Sequence, residues 1–80
     1  MAYSIVLHIQ GEEAVVGEVD ELPAAGALTI TVTNPRKMDG KDLPYLSENV
    51  VTVIWPMFRL NFIEVLPTKE EEEIIGFVRE

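Results

Sequence analysis

Eighty residues make one small domain, with no room for a second core. The chain has no cysteine and a single histidine, His8, which excludes disulfides, thiolate metal sites and a multi-histidine centre within one chain, so no cofactor or metal is expected. Fourteen acidic side chains against six basic ones give a formal charge of −8, a field that repels nucleic acid, since phosphate binding rests on Lys and Arg displacing counterions; DNA is not expected as a partner.

Met1-Ala2 opens directly into a strand-like pattern, without the charged and apolar regions of a signal peptide. Tyr3, Ile5, Leu7 and Ile9 alternate with Ser4, Val6, His8 and Gln10, which predicts a first strand over about 3–10. Gly11-Glu12-Glu13 reads as a tight turn. A second strand over about 14–22 follows from Val15, Gly17 and Val19 alternating with Val16, Glu18 and Asp20. Its central Gly17 has no side chain to pack, which in a strand signals sharp curvature or close backbone approach.

Pro23 to Gly26 is the next turn. Leu28, Ile30 and Val32 then alternate with Thr29, Thr31 and Thr33, a β-branched pattern that predicts a third strand over about 27–36. Asn34-Pro35 ends or bends it, because proline cannot donate to a ladder. Asp39-Gly40 predicts a hairpin, both residues tolerating the positive φ of a type I′ turn. A fourth strand is expected over about 43–55, irregular near Pro44 and firm over 50–54. A fifth is expected over about 58–66, after Pro56. Both are nearly all apolar, which predicts burial on both faces. So small a domain buries only about 60–65% of the surface of its unfolded chain, so the second face calls for another subunit.

Thr68 begins a capping box with Glu71, and Glu70 to Glu73 sit where a helix dipole favours negative charge. With Ile74, Ile75, Phe77 and Val78 as an apolar stripe, this predicts a short helix over about 69–79, too short to persist undocked. The fold class expected is all-β with a short C-terminal α-helix. No apolar run reaches the ~20 residues of a membrane helix. A soluble, cytoplasmic protein is expected.

Several stretches resemble the Sm-like (LSm/Hfq-related) family, in particular its short members from phages and marine metagenomes. They are Leu7 to Glu13 running into Val16-Gly17-Glu18-Val19, then Leu28 to Pro35, Leu43 to Leu46, and Val51-Thr52-Val53 leading into Phe62 to Pro67. The resemblance covers nearly the whole chain. It implies a small SH3-like/Sm-like barrel of five strongly bent antiparallel strands. It also implies homo-oligomeric rings of five to seven subunits, with the fourth strand of one copy pairing with the fifth of the next. A phage source would place the protein in the host cytoplasm. RNA-binding members carry an Asp and an Asn near the loop between strands two and three, and an Arg-Gly pair between strands four and five. Here those loops read Pro23-Ala24-Ala25-Gly26 and Ile54-Trp55-Pro56-Met57-Phe58, so the ring is expected and RNA recognition is put in question.

The candidate RNA contacts are Trp55, Arg59 and Asn61. Trp55 can stack a base, or pack in the core or a subunit interface, which the enrichment of aromatics at interfaces favours. Arg59 has an ion pair with Glu64 or a neighbour's carboxylate as its alternative role. The candidate oligomer interface is Val51, Val53, Trp55, Phe58, Leu60 and Phe62. Arg36, Lys37 and Lys41 surround the Asp39-Gly40 turn as the only basic cluster, read as a solvated hairpin tip. His8 reads as a surface or edge-strand histidine, and Glu12, Glu13, Glu18 and Asp20 match no calcium loop. Without a Ser-His-Asp or Cys-His set or a phosphate loop, no catalytic residue is assigned and no enzyme is expected. The competing reading is a monomeric SH3-like barrel that recognises a protein or peptide.

Overall fold

The computed structural model describes residues 2–67. Five strands, β1 (Tyr3–Ile9), β2 (Val15–Val19), β3 (Thr29–Lys37), β4 (Thr52–Pro56) and β5 (Leu60–Val65), form one antiparallel sheet in the order β4-β3-β2-β1-β5. The sheet curls into a half-barrel, so the all-β class stands. The helix expected over 69–79 lies outside the described residues.

The core follows from the period-two pattern. Ile5, Leu7 and Ile9 of β1 point inward and meet Val15 and Val19 of β2, Ile30 and Val32 of β3, and Trp55 of β4. Each buried aliphatic side chain of this kind contributes about 1.5–3 kcal/mol over its exposed state. Val6, on the opposite face, is also buried: the register sets it between Val16 of β2 and Glu64 of β5.

The curl has a local cause. Between Val16 and Glu18 the pairing of β2 with β3 shifts, Val16 facing Arg36 and Glu18 facing Thr33, so Asn34-Pro35 forms a bulge opposite Gly17. Asn34 takes a positive φ of 54°, which asparagine accepts more readily than most residues. At Gly17 a Cβ would stand 2.4 Å from Cγ1 of Val32, so only glycine lets β3 come this close. Bulges of this type bend a strand and increase its twist. Arg36 clips the bend, donating to the Asn34 carbonyl at 2.7 Å and to Glu18 at 3.0 Å. Asn34-Pro35 therefore bends β3 rather than ending it.

Three expectations need correction. The Asp39-Gly40 turn is not type I′, because only Gly40 has positive φ, at 89°. Lys37 donates to Lys41 and Gly40 donates to Lys37, enclosing Met38, Asp39 and Gly40 as a three-residue loop with the glycine in the left-handed position. The fourth strand is Thr52–Pro56 rather than 43–55. Residues 43–51 form turns and loop, and Leu43 is buried there because it packs into the core, not because it joins a ladder. Pro56 closes β4, and a single 3-10 turn, Met57–Arg59, carries the chain to β5, where one strand over 58–66 was expected.

Candidate interaction edges

The strand order leaves β4 and β5 at the two rims of the sheet. Neither is buried on both faces within the protomer.

Backbone pairing among the described residues shows which groups each rim leaves free. Leu66 donates to the Ser4 carbonyl, and β5 keeps that phase along β1, so Phe62 and Glu64 bond to β1 while Ile63 and Val65 turn their N–H and C=O groups outward. On the other rim, Asn34 donates to Val51 and Met57 to Leu28; the same phase puts the free groups at Thr52 and Ile54. Proline at position 56 removes one donor from that rim.

Among the described residues, both rims carry exposed apolar side chains beside the polar Thr52, Asn61 and Glu64. Ile54 is 63% exposed, Phe58 77% and Phe62 57%. Phe62 stacks on His8, its cross-strand partner, with ring centroids 4.1 Å apart and planes 18° from parallel. His8 Nε2 also lies 2.7 Å from Glu64 Oε1. This histidine belongs to β1, an interior strand, and sits on the outer face rather than at an edge. Its three-part cluster orders the outer side chains of β5.

Of the interface candidates, Val51, Phe58 and Phe62 are exposed, whereas Val53 and Leu60 are half-buried against the core. Trp55 is a core residue near the end of β4, 9% exposed, with little ring face left for a base. Arg59 lies in the 3-10 turn, and among the described residues its ion-pair partner is Glu12, at 3.9 Å, not Glu64. Asn61 is the extra residue where β5 slips against β1, between Leu60 facing Ile9 and Phe62 facing His8. Its side chain is exposed. The fold therefore does not gather Trp55, Arg59 and Asn61 on one open surface.

Arg36 leaves the basic cluster for its Glu18 partner, while Lys41 stays at the solvent-exposed tip. Glu12, Glu18 and Asp20 do not converge. Among the described residues no group of three or more His, Asp or Glu side chains is placed to hold a metal. Nor is any helix among them long and apolar enough to cross a membrane. A recess beside charge is lined by Leu43, Pro44 and Tyr45 with Glu12, Glu13 and Lys37. There burial first, and the Glu12 carboxylate second, raise the Tyr45 phenol above its ordinary pKa.

Sequence reasoning marked Asn34-Pro35 as an end or a bend of the third strand, and the bulge there is the bend. It missed the Asn61 bulge, which nothing local marked, and the role of His8.

The chain matches no protein-family model, no curated protein and no solved structure.

Proposed function

We propose that this protein is a subunit of a homo-oligomeric Sm-like ring, in which the β4 rim of one copy pairs with the β5 rim of the next. The observation that carries the reading is the coincidence, at both rims, of backbone groups left unpaired among the described residues with exposed Ile54, Phe58 and Phe62. An exposed apolar strand edge templates aggregation unless something covers it, and a head-to-tail contact that closes removes every such edge. A five-stranded curled sheet with a one-turn link between its rim strands suits that assembly, and five to seven copies are the expected number. The ring has no enzymatic role in this reading.

RNA is a secondary partner at most. The acidic field opposes it, and Trp55 offers a base little surface. Single-strand RNA that fails to bind even at low salt, where attraction to phosphate is strongest, removes it altogether.

Light scattering tests the main reading directly. A ring gives a mass several times the 9.0 kDa of one chain; a species of 9.0 kDa at micromolar concentration overturns it. That outcome would favour a monomeric SH3-like barrel binding a peptide, for which the recess at Leu43, Pro44 and Tyr45 is the place to look.

A further inference from the structure

Two interior strands separate before β3 reaches its start. β2 pairs with β3 from Val15 facing Lys37 to Glu18 facing Thr33, and the pairing stops there. Continued at the same register, Asp20 would face Thr31 and Leu22 would face Thr29. Instead β2 ends at Val19, and the chain leaves the sheet through bends and a turn before β3 begins. On its other side the same half of β3 is fully held, Thr29 to Thr33 facing Pro56 to Thr52 of β4. The sheet therefore carries a notch between β2 and β3.

The notch opens onto backbone. Met57 donates to the Leu28 carbonyl and Asn34 to that of Val51, so in this phase Ile30 and Val32 bond to β4. Thr29 and Thr31 turn their N–H and C=O groups toward the notch, where no backbone partner meets them among the described residues. The cleft has a volume of about 480 Å³, within the roughly 300–1,000 Å³ of ligand clefts. Asp20, Glu21 and Leu22 line it together with Thr29, Ile30 and Thr31. Both carboxylate-bearing residues are exposed.

We propose that this notch binds a short, extended, basic peptide of another protein, which adds a strand along Thr29–Thr31 where β2 stops. In such strand addition the main chain supplies the hold and alternate side chains supply the choice of partner. Peptide residues opposite Thr29 and Thr31 share their outer face, beside a cleft that carries the Asp20 and Glu21 carboxylates, so basic side chains suit them. The residue between them turns inward beside buried Ile30, which calls for an apolar side chain. Charge selects the same partner at long range. A chain of formal charge −8 draws in a basic peptide, and repels both a phosphate backbone and a second copy of itself. The notch lies at the opposite end of β3 from the recess that includes Lys37, and pairing of the β4 and β5 rims does not use it. This inference therefore stands whether or not copies associate.

The probe is the blocked pentapeptide acetyl-Arg-Val-Arg-Val-Arg-amide, added to the full chain at up to about 1 mM, the weak end of measurable affinity. Amide hydrogen exchange, read by nuclear magnetic resonance, is expected to slow several-fold at Thr29 and Thr31 while Ile63 and Val65 keep their rates. The acidic analogue acetyl-Glu-Val-Glu-Val-Glu-amide is expected to change none of the four. N-methylation of the three arginines keeps their charge but removes ladder donors, and is expected to abolish the slowing. Replacing both carboxylates, Asp20→Asn with Glu21→Gln, is expected to weaken binding about two- to tenfold, as the loss of two exposed ion pairs does. Unchanged exchange at Thr29 and Thr31, or slowing at Ile63 and Val65 instead, overturns the inference. So does equal binding of the acidic or the N-methylated peptide, or an affinity that the double substitution leaves as it was.

Discussion

Gly17 is where one missing atom shapes the molecule. A methyl group there would meet Val32 Cγ1 at 2.4 Å and the Thr33 carbonyl oxygen at 3.2 Å. Val32 is fully buried and Thr33 is held by its ladder, so neither yields freely. Gly17→Ala is expected to destabilise the fold by about 1–3 kcal/mol, as overpacking of a tight core does. Urea unfolding measures this; a midpoint equal to that of the parent would show that β3 does not approach so closely. Gly17 was legible from local pattern, because a glycine inside an alternating strand marks a bend or a close backbone approach. Asn34, its counterpart across the ladder, was half legible. The dipeptide Asn-Pro signals interruption, but whether a strand stops or bends depends on what clips the far side. Here that is Arg36 on Glu18, a contact between residues 18 positions apart.

Tyr45 adds a titration at the same scale. Its phenol is held above the ordinary value, by partial burial and then by Glu12. Below the ordinary tyrosine pKa both folded and unfolded chains carry the neutral phenol, and the group takes nothing from stability. As pH rises past that value the unfolded chain ionises first, so stability falls until the folded phenol ionises too. Tyr45→Phe is expected to lose less stability than the parent over that alkaline range and to behave like it near neutrality. Denaturation midpoints across the range check this; parallel curves for the two proteins would deny any burial of the phenol.

Elements were legible in proportion to how far local pattern alone determined them. β1, β2 and β3 showed themselves by alternation, and their inward residues are the core. The stretch 43–51 misled because Leu43, Leu46, Val50 and Val51 are as apolar as a strand, while Pro44 and the positive φ of Asn49, 69°, keep the backbone out of a ladder. At Leu43 and Leu46 apolarity reflects packing of a loop against the barrel, which a period cannot distinguish from pairing, whereas Val50 and Val51 are exposed. The rim strands follow a different logic. Free backbone groups alternate with bonded ones, so Phe62 and Glu64 amides are protected by β1 while those of Ile63 and Val65 are not. Hydrogen exchange should be slow at all four when copies are joined, and fast at Ile63 and Val65 when dilution separates them. Thr52 and Ile54 should follow the same rule on the other rim. Fast exchange at Ile63 and Val65 in an intact oligomer would place the contact on another surface.

At the scale of the whole molecule, two forces oppose each other. Every copy carries a formal charge of −8, so approaching copies repel through solvent. The rim surfaces of Ile54, Phe58 and Phe62 attract by losing contact with water, a term that dilute salt hardly touches. The balance between them fixes the sign of the salt dependence. Raising ionic strength from about 0.01 M to 0.15 M shortens the screening length from about 30 Å to about 8 Å, which removes most of the repulsion between charges on different copies. Association of this protein should therefore strengthen over that range, with the concentration needed for half-assembly falling as salt is added. Sedimentation velocity over a dilution series at each ionic strength reads this directly. If assembly instead weakened with salt, opposite charges would be holding the copies together. Cations such as Arg59 beside Glu12 and Lys41 at the hairpin tip would then replace the apolar rims as the contact.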